Sequence, residues 1–218
     1  TGKIVNAGDI QNKGIELQLN ARVIEAKDFS WDLGVNYSEN ENSIIELTED
    51  VEQRVLGGFD NVSIRAIAGG GYGDIYGTKY LRVEDETSPH FGKLLLTNGG
   101  LPDTNNEVVY MGNQNADGLI GFTNSFRYKD LTFGISIDGR IGGKIFSGSN
   151  YNLQQAGVAA VTAPNGNRDN FVVEGVINTG TNDAPVYETN TTEVSPQDYW
   201  GAIARGNLGI PEANLYDA

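Results

Sequence analysis

The residues able to carry chemistry are few in kind. There is one histidine, His90, which follows Pro89 in a polar stretch, and there is no cysteine. A nucleophile–base pair would have to rest on that single imidazole. Thiolate and multi-histidine metal sites are excluded. Carboxylates are abundant, and two of them about 5–9 Å apart can cleave a glycosidic bond. Here, however, Glu39, Glu41, Glu46, Glu49, Asp50, Glu52 and Asp60 crowd into residues 39–60 against Arg54 alone, which reads as a solvated acidic stretch. Gly69-Gly70-Gly71-Tyr72-Gly73 has the glycine density of a phosphate loop but lacks the Gly-Lys-Ser/Thr ending, and no helical pattern follows. Asn113 to Gly118 has the oxygen spacing of a calcium loop, yet its twelfth position is Asn124 rather than a bidentate Glu. Asn61-Val62-Ser63 and Asn190-Thr191-Thr192 fit glycosylation acceptors. No catalytic residue, metal or cofactor is expected from these patterns. The formal charge, 15 basic residues against 29 acidic ones for −14, argues against a nucleic-acid partner.

The elements that must position any site are strands. Ile15, Leu17, Leu19, Ala21 and Val23 alternate with Glu16, Gln18, Asn20 and Arg22; after a short polar turn, Phe29, Trp31, Leu33, Val35 and Tyr37 alternate with Ser30, Asp32, Gly34, Asn36 and Ser38. This two-residue period predicts a long hairpin with one apolar and one polar face. A second hairpin follows a hundred residues later. Ile120, Phe122, Phe126 and Tyr128 share a face interrupted by Asn124, Lys129-Asp130 makes a tight turn, and Leu131, Phe133, Ile135, Ile137 and Ile141 return opposite Thr132, Ser136, Asp138 and Arg140. Tyr72, Tyr76 and Tyr80, spaced by Gly69 to Gly73 and Gly77, suggest a further strand or strand pair, whereas residues from about 147 onward are rich in Asn, Gly, Thr and Ala with almost no period.

Two folds satisfy this alternation. A secreted β-sandwich, binding carbohydrate or acting as an adhesin, would hide the faces around Leu17 and Ile135 against each other. An outer-membrane β-barrel has strands of nine to eleven residues, tight turns at one end, long loops at the other and an apolar face turned to lipid, with aromatics such as Phe29, Trp31, Tyr37, Phe126 and Tyr128 near the interfaces. In the barrel reading Arg22, Asp32, Arg127, Asp138 and Arg140 line the lumen, as salt bridges in register or as part of a solute path.

Local motifs favour the second. The run from Val5 to Leu17 (Val-Asn-Ala-Gly-Asp-Ile-Gln-Asn-Lys-Gly-Ile-Glu-Leu), the run from Gly112 to Asp117 leading into Gly121–Leu131, the run Asp138-Gly139-Arg140-Ile141-Gly142-Gly143-Lys144-Ile145-Phe146-Ser147, and Tyr199-Trp200 with the closing segment from Glu212 to Ala218 resemble, in order, TonB-dependent outer-membrane receptors of the SusC/RagA type from the Bacteroidetes. The resemblance implies an all-β fold of antiparallel strands in a transmembrane outer-membrane β-barrel with long extracellular loops. It implies that residues 1–218 are part of a single receptor barrel domain, from its carboxy-terminal portion, with the plug domain and signal peptide absent. It further implies a non-enzymatic importer of glycans or oligopeptides in the bacterial outer membrane, working with a SusD-like surface lipoprotein and, through its amino-terminal part, with the TonB complex. Under this reading Tyr72, Tyr76, Tyr80, Tyr199 and Trp200 sit in outward loops as candidate ligand contacts.

Overall fold

A computed structural model of the chain describes residues 8–48 and 51–218. Val5, Asn6 and Ala7 of the first motif, and Glu49 and Asp50 of the acidic stretch, lie outside the described residues.

Strands β1 (Asp9–Glu25) and β2 (Phe29–Glu46) form the first hairpin. An excursion follows that carries β3 (Gln53–Phe59), β4 (Val62–Ile67), β5 (Asp74–Gly77), β6 (Leu95–Leu96) and β7 (Val109–Asn113). The second hairpin is β8 (Gly118–Tyr128) and β9 (Leu131–Ile141). A second excursion contains β10 (Lys144–Phe146), α1 (Gly148–Gln155), β11 (Phe171–Val172), β12 (Val176–Asn178), β13 (Tyr187–Thr189), β14 (Glu193–Val194), α2 (Pro196–Ile203) and β15 (Leu215–Asp217).

The two hairpins join into one antiparallel sheet, β1-β2-β8-β9, so β2 and β8 are neighbours although some seventy residues separate them in sequence. Both tight turns fall at the same end of this sheet, where the Lys129 amide donates to the Asp28 carbonyl at 2.8 Å and Lys129 takes a left-handed φ of 52°. Both excursions leave from the other end. The strands are longer than the alternation alone suggested. β1 begins at Asp9 and β2 runs through Glu39, Glu41 and Glu46, so much of the acidic stretch is extended ladder rather than loop. The polar residues there still alternate, and pairing of Lys13 with Glu41 and Gly14 with Asn40 satisfies the backbone.

Register sorts the side chains. Leu19, Val35, Phe122 and Ile137 line up across four strands, as do Ile24, Trp31, Phe126 and Phe133. Ile24 rather than Val23 stands opposite Trp31 because a bulge falls between Arg22 and Ile24. The rings of Trp31, Phe126 and Phe133 stack in sequence at 5.7 and 6.4 Å, making an aromatic ribbon near the tight-turn end. Asn124, the polar interruption of this face, accepts the Trp31 indole N–H at 3.2 Å. Much of the face is open: on the outer strands Leu17 and Phe133 are each 62% exposed, Ile137 57% and Leu131 75%, while Trp31, Leu33, Val35 and Phe122 on the inner strands are half-buried by their neighbours. Leu17 and Ile135 lie on the same face of the same sheet, so they do not pack against one another as a sandwich core requires. A row of large aliphatic side chains of this length has to be covered by an apolar medium or partner, and among the described residues nothing covers it. Among the described residues no helix is long and apolar enough to cross a membrane, which says nothing of a β-barrel, whose crossings are strands.

The excursions are not irregular coils. β3-β4-β5-β7 form a second sheet with a core of Val62, Ile75 and Met111, joined by Phe146 and Leu215 from the second excursion. Leu96 of the first excursion packs with Val173 and Val194 of the second, and β6 pairs with β12 in parallel. Asn61 and the Thr78 hydroxyl both donate to the Gly209 carbonyl at 2.7 Å. The two excursions thus close into one cap above the wall. The cap is tied to β2 by the Ile44 amide donating to Gly70 and the Gly69 amide donating to Ile44. The glycine run is therefore a latch at the edge of the cap, with Gly69 exposed and Gly70 and Gly71 half-buried, and a Cβ on Gly71 would have to displace the side chains of Asp74 and Asn113, both at 2.8 Å.

Candidate functional site

On the face opposite the aliphatic rows, β1 and β2 place Arg22 against Asp32. The guanidinium donates to Asp32 Oδ1 at 2.8 Å and reaches Glu25 at 3.2 Å. Asn20, Thr123 and Ser125 continue the same polar surface, and all of these groups are open to water. The other proposed lumen residues do not join that pair. Arg127 stands opposite Thr132 beside the tight turn, Asp138 opposite Gly121, and Arg140 opposite Leu119 at the cap end. Eight ladder steps separate Arg127 from Arg140, about 26 Å at roughly 3.3 Å per residue. Arg140 is spent on the backbone, donating to the carbonyls of Gln114 and Gly142 where the chain enters the cap. The five residues share a face but form no single site.

The five aromatics fall into separate places in the cap. Tyr72 is exposed, its carbonyl held by the Asn113 and Asn115 amides. Tyr76 on β5 meets Tyr110 edge-on at 5.8 Å and carries the Arg65 guanidinium 5.4 Å above its ring. Tyr80 lies deeper. Burial, then the neighbouring Tyr199 and Glu212, push its phenol well above the usual tyrosine value, while its amide and Arg82 are both bound by Glu212. Tyr199 and Trp200 come together on α2, a helix started by Ser195, whose hydroxyl accepts from the Asp198 amide at 3.1 Å, and by Pro196 at its first position. Burial raises the Tyr199 phenol as well.

Around α2 the fold brings in residues that the sequence did not single out. Phe171 meets the Tyr199 ring edge-on at 5.2 Å, and Tyr199 meets Trp200 edge-on at 5.0 Å. Their rings border a cleft of about 550 Å³, which is also lined by the segment carrying Asn165, Asn167, Asp169 and Asn170. The signal was present as four Asn or Asp within six residues between Pro164 and Phe171. What the sequence does not show is that β11 pairs with β14 and so carries this segment to the start of α2.

The wall and its cap can be set beside known proteins. No family model matches the chain. It is 27% identical over 180 residues to TonB-dependent receptor P3 of Formosa agariphila, covering 75% of this chain and 18% of that protein. It is 30% identical over 141 residues to TonB-dependent receptor SusC of Bacteroides thetaiotaomicron, covering 61% of this chain and 14% of that protein. In sequence the chain is similar to TonB-dependent receptors, SusC among them. A solved structure of the RagAB peptide transporter superposes with a TM-score of 0.51 at 17% identity, over 69% of this chain and 17% of that one. That likeness concerns the fold alone, an all-β arrangement of mostly antiparallel strands. The chain spans less than one fifth of the length of either curated relative.

Proposed function

We propose that the chain is a segment of the barrel domain of a TonB-dependent receptor that imports large nutrients across a bacterial outer membrane. The observation that carries this reading is the two-faced four-stranded sheet. Its aliphatic and aromatic face is covered by none of the described residues, its other face is polar and charged, both tight turns lie at one end and both long excursions at the other. An eleven-residue strand rising about 3.3 Å per residue and tilted about 40° spans roughly 28 Å, close to the apolar band of roughly 25 Å that such barrels present. The aliphatic face meets lipid, and the tight turns face the periplasm. The polar face lines the lumen, where Arg22 and Asp32 hold the β1–β2 register, and Arg127, Asp138 and Arg140 border the solute path or the plug. The cap is extracellular.

Transport in this reading needs no chemistry from the wall. Energy arrives through the TonB complex, by way of parts of the receptor beyond this segment, and the solute is a glycan or an oligopeptide handed over with a SusD-like surface lipoprotein. The test is to express the full-length parent receptor, fractionate the cells, and compare gel mobility with and without boiling. The expected result is outer-membrane recovery with heat-modifiable mobility, and TonB-dependent growth on a large nutrient. Recovery as a detergent-free soluble monomer overturns the proposal.

A further inference from the structure

The cleft between α2 and the segment before β11 has features that the import reading leaves unused. Its aromatic side is preformed. Tyr199 is packed on the Leu96, Val173 and Val194 core and braced by Phe171, so α2 holds Trp200 in a fixed place at the cleft edge. The same cleft is lined by short, planar polar groups. Asn165 and Asn170 are exposed, and Asn167 is bonded to Asp169, which fixes the carboxylate. Asn165 sits at a left-handed φ of 57° within a turn closed by the Gly166 amide donating to Ala163 at 2.9 Å, which sets the direction of its side chain.

The pairing of these two sides selects a chemistry. An amide side chain offers a donor and an acceptor side by side, and a carboxylate two acceptors. Such groups match neighbouring hydroxyls that each donate and accept. Aromatic rings with their polar partners at the rim offer apolar area for a flat C–H surface. A pyranose ring presents both: a hydroxyl edge and an apolar face. Charge decides the rest. Arg168, the cation of this segment, is turned away to donate to the Gly157 carbonyl at 2.7 Å, leaving Asp169 as the charge on the cleft. An anionic sugar or an acidic peptide would meet a like charge, with no cation among the described lining residues to answer it. A volume near 550 Å³ falls within the range of small-molecule sites and suits a short saccharide rather than a single ring.

We propose that this cleft is a binding site for neutral oligosaccharide. The inference rests on the import reading only in making the cap extracellular; binding itself is measurable without transport. The experiment is titration calorimetry of the full-length receptor against a panel of neutral oligosaccharides, acidic oligosaccharides and a mixed oligopeptide library. A neutral glycan is expected to bind, Trp200→Ala to weaken it by about tenfold or more, and Trp200→Phe to retain most of it because a ring remains. Asn170→Ala is expected to weaken it also, whereas Tyr110→Ala, in the separate Tyr76 cluster, leaves it unchanged. Heat-modifiable mobility of each variant shows that it has folded. Three results overturn the proposal: no neutral glycan bound by the wild-type receptor, binding indifferent to Trp200→Ala in a folded receptor, or Trp200-dependent binding of peptides instead. Any of these in a receptor that still fractionates with the outer membrane and imports nutrient removes the cleft but leaves the transporter. Soluble recovery removes the transporter and leaves the binding to be judged by itself.

Discussion

Replacing Ile137 by arginine tests the assignment of the wall's two faces. Ile137 sits near the middle of β9, aligned with Phe122, Val35 and Leu19, and is 57% exposed on the aliphatic face. If lipid covers that face, Ile137 is close to the bilayer midplane, where an arginine costs roughly 2–4 kcal/mol. That is about a 30- to 900-fold fall in the ratio of folded to unfolded receptor. Ser136 is its immediate neighbour, lies opposite Thr123 on the polar face and is also exposed. Ser136→Arg therefore introduces the same charge one residue away into a water-filled lumen and is expected to cost little. The comparison is made on the full-length receptor reconstituted in vesicles, by denaturant unfolding followed through heat-modifiable mobility, with Ile137→Leu as the volume control. Equal behaviour of the two arginine variants would refute the face assignment, and greater damage from Ser136→Arg would invert it.

Three further outcomes concern the cap. Asn214 is fully buried, accepts from the Asn150 amide at 2.7 Å and donates to Gln154 at 2.6 Å; Asn214→Ala leaves Gln154 without its donor and is expected to cost about 1–3 kcal/mol, seen as faster proteolysis of the second excursion. Gly209→Ala would place a Cβ against the Tyr151 hydroxyl, the Ile203 carbonyl and the Arg205 amide, all in fixed structure, and push away the carbonyl that receives Asn61 and Thr78. A loss of about 1–3 kcal/mol, with cleavage appearing in both excursions together, is expected. Burial first, then the charge of Asp60, pushes the Tyr151 phenol up to about 12, against about 10 in the unfolded chain. The folded cap thus favours the protonated phenol. Its contribution is whole below about pH 10 and is lost as pH rises toward 12. Tyr80 and Tyr199 shift the same way, so Tyr151→Phe should soften the alkaline decline in proteolytic resistance without removing it, and an unchanged decline would contradict this.

The short-range pattern was enough for the wall. Alternation at residues 14–24, 29–38 and 120–141 named both hairpins and both faces, because a strand's side-chain period of two is a local property that pairing preserves. The strand ends were not legible. Gln11–Lys13 and Glu39–Ser43 are polar on both sides, and only the partner strand makes them ladder rather than loop. The bulge that puts Ile24 opposite Trp31 likewise depends on the partner strand. The candidate charges share a face, yet their spread along β8 and β9 separates Arg127 from Arg140 by nearly the length of the hairpin. Asn190, a glycosylation acceptor by its motif, is buried and donates to the Val173 carbonyl at 2.9 Å.

The cap marks the limit of the sequence most clearly. Its segments are two to eight residues long, too short for a period to declare itself, and their pairings join residues far apart: Leu95 with Val176, Lys144 with Asp217, Asn61 with Gly209. Residue identity alone fixed which side chains had the chemistry to bind: aromatics, amides and a carboxylate, with no thiol and a single imidazole. Only the tertiary structure decided which of them meet. Tyr80 went into the interior against Tyr199, while Phe171 and the Asn165–Asn170 segment came to Trp200. Contacts between distant short elements are set by the global packing of two excursions, and that information is carried by no local pattern.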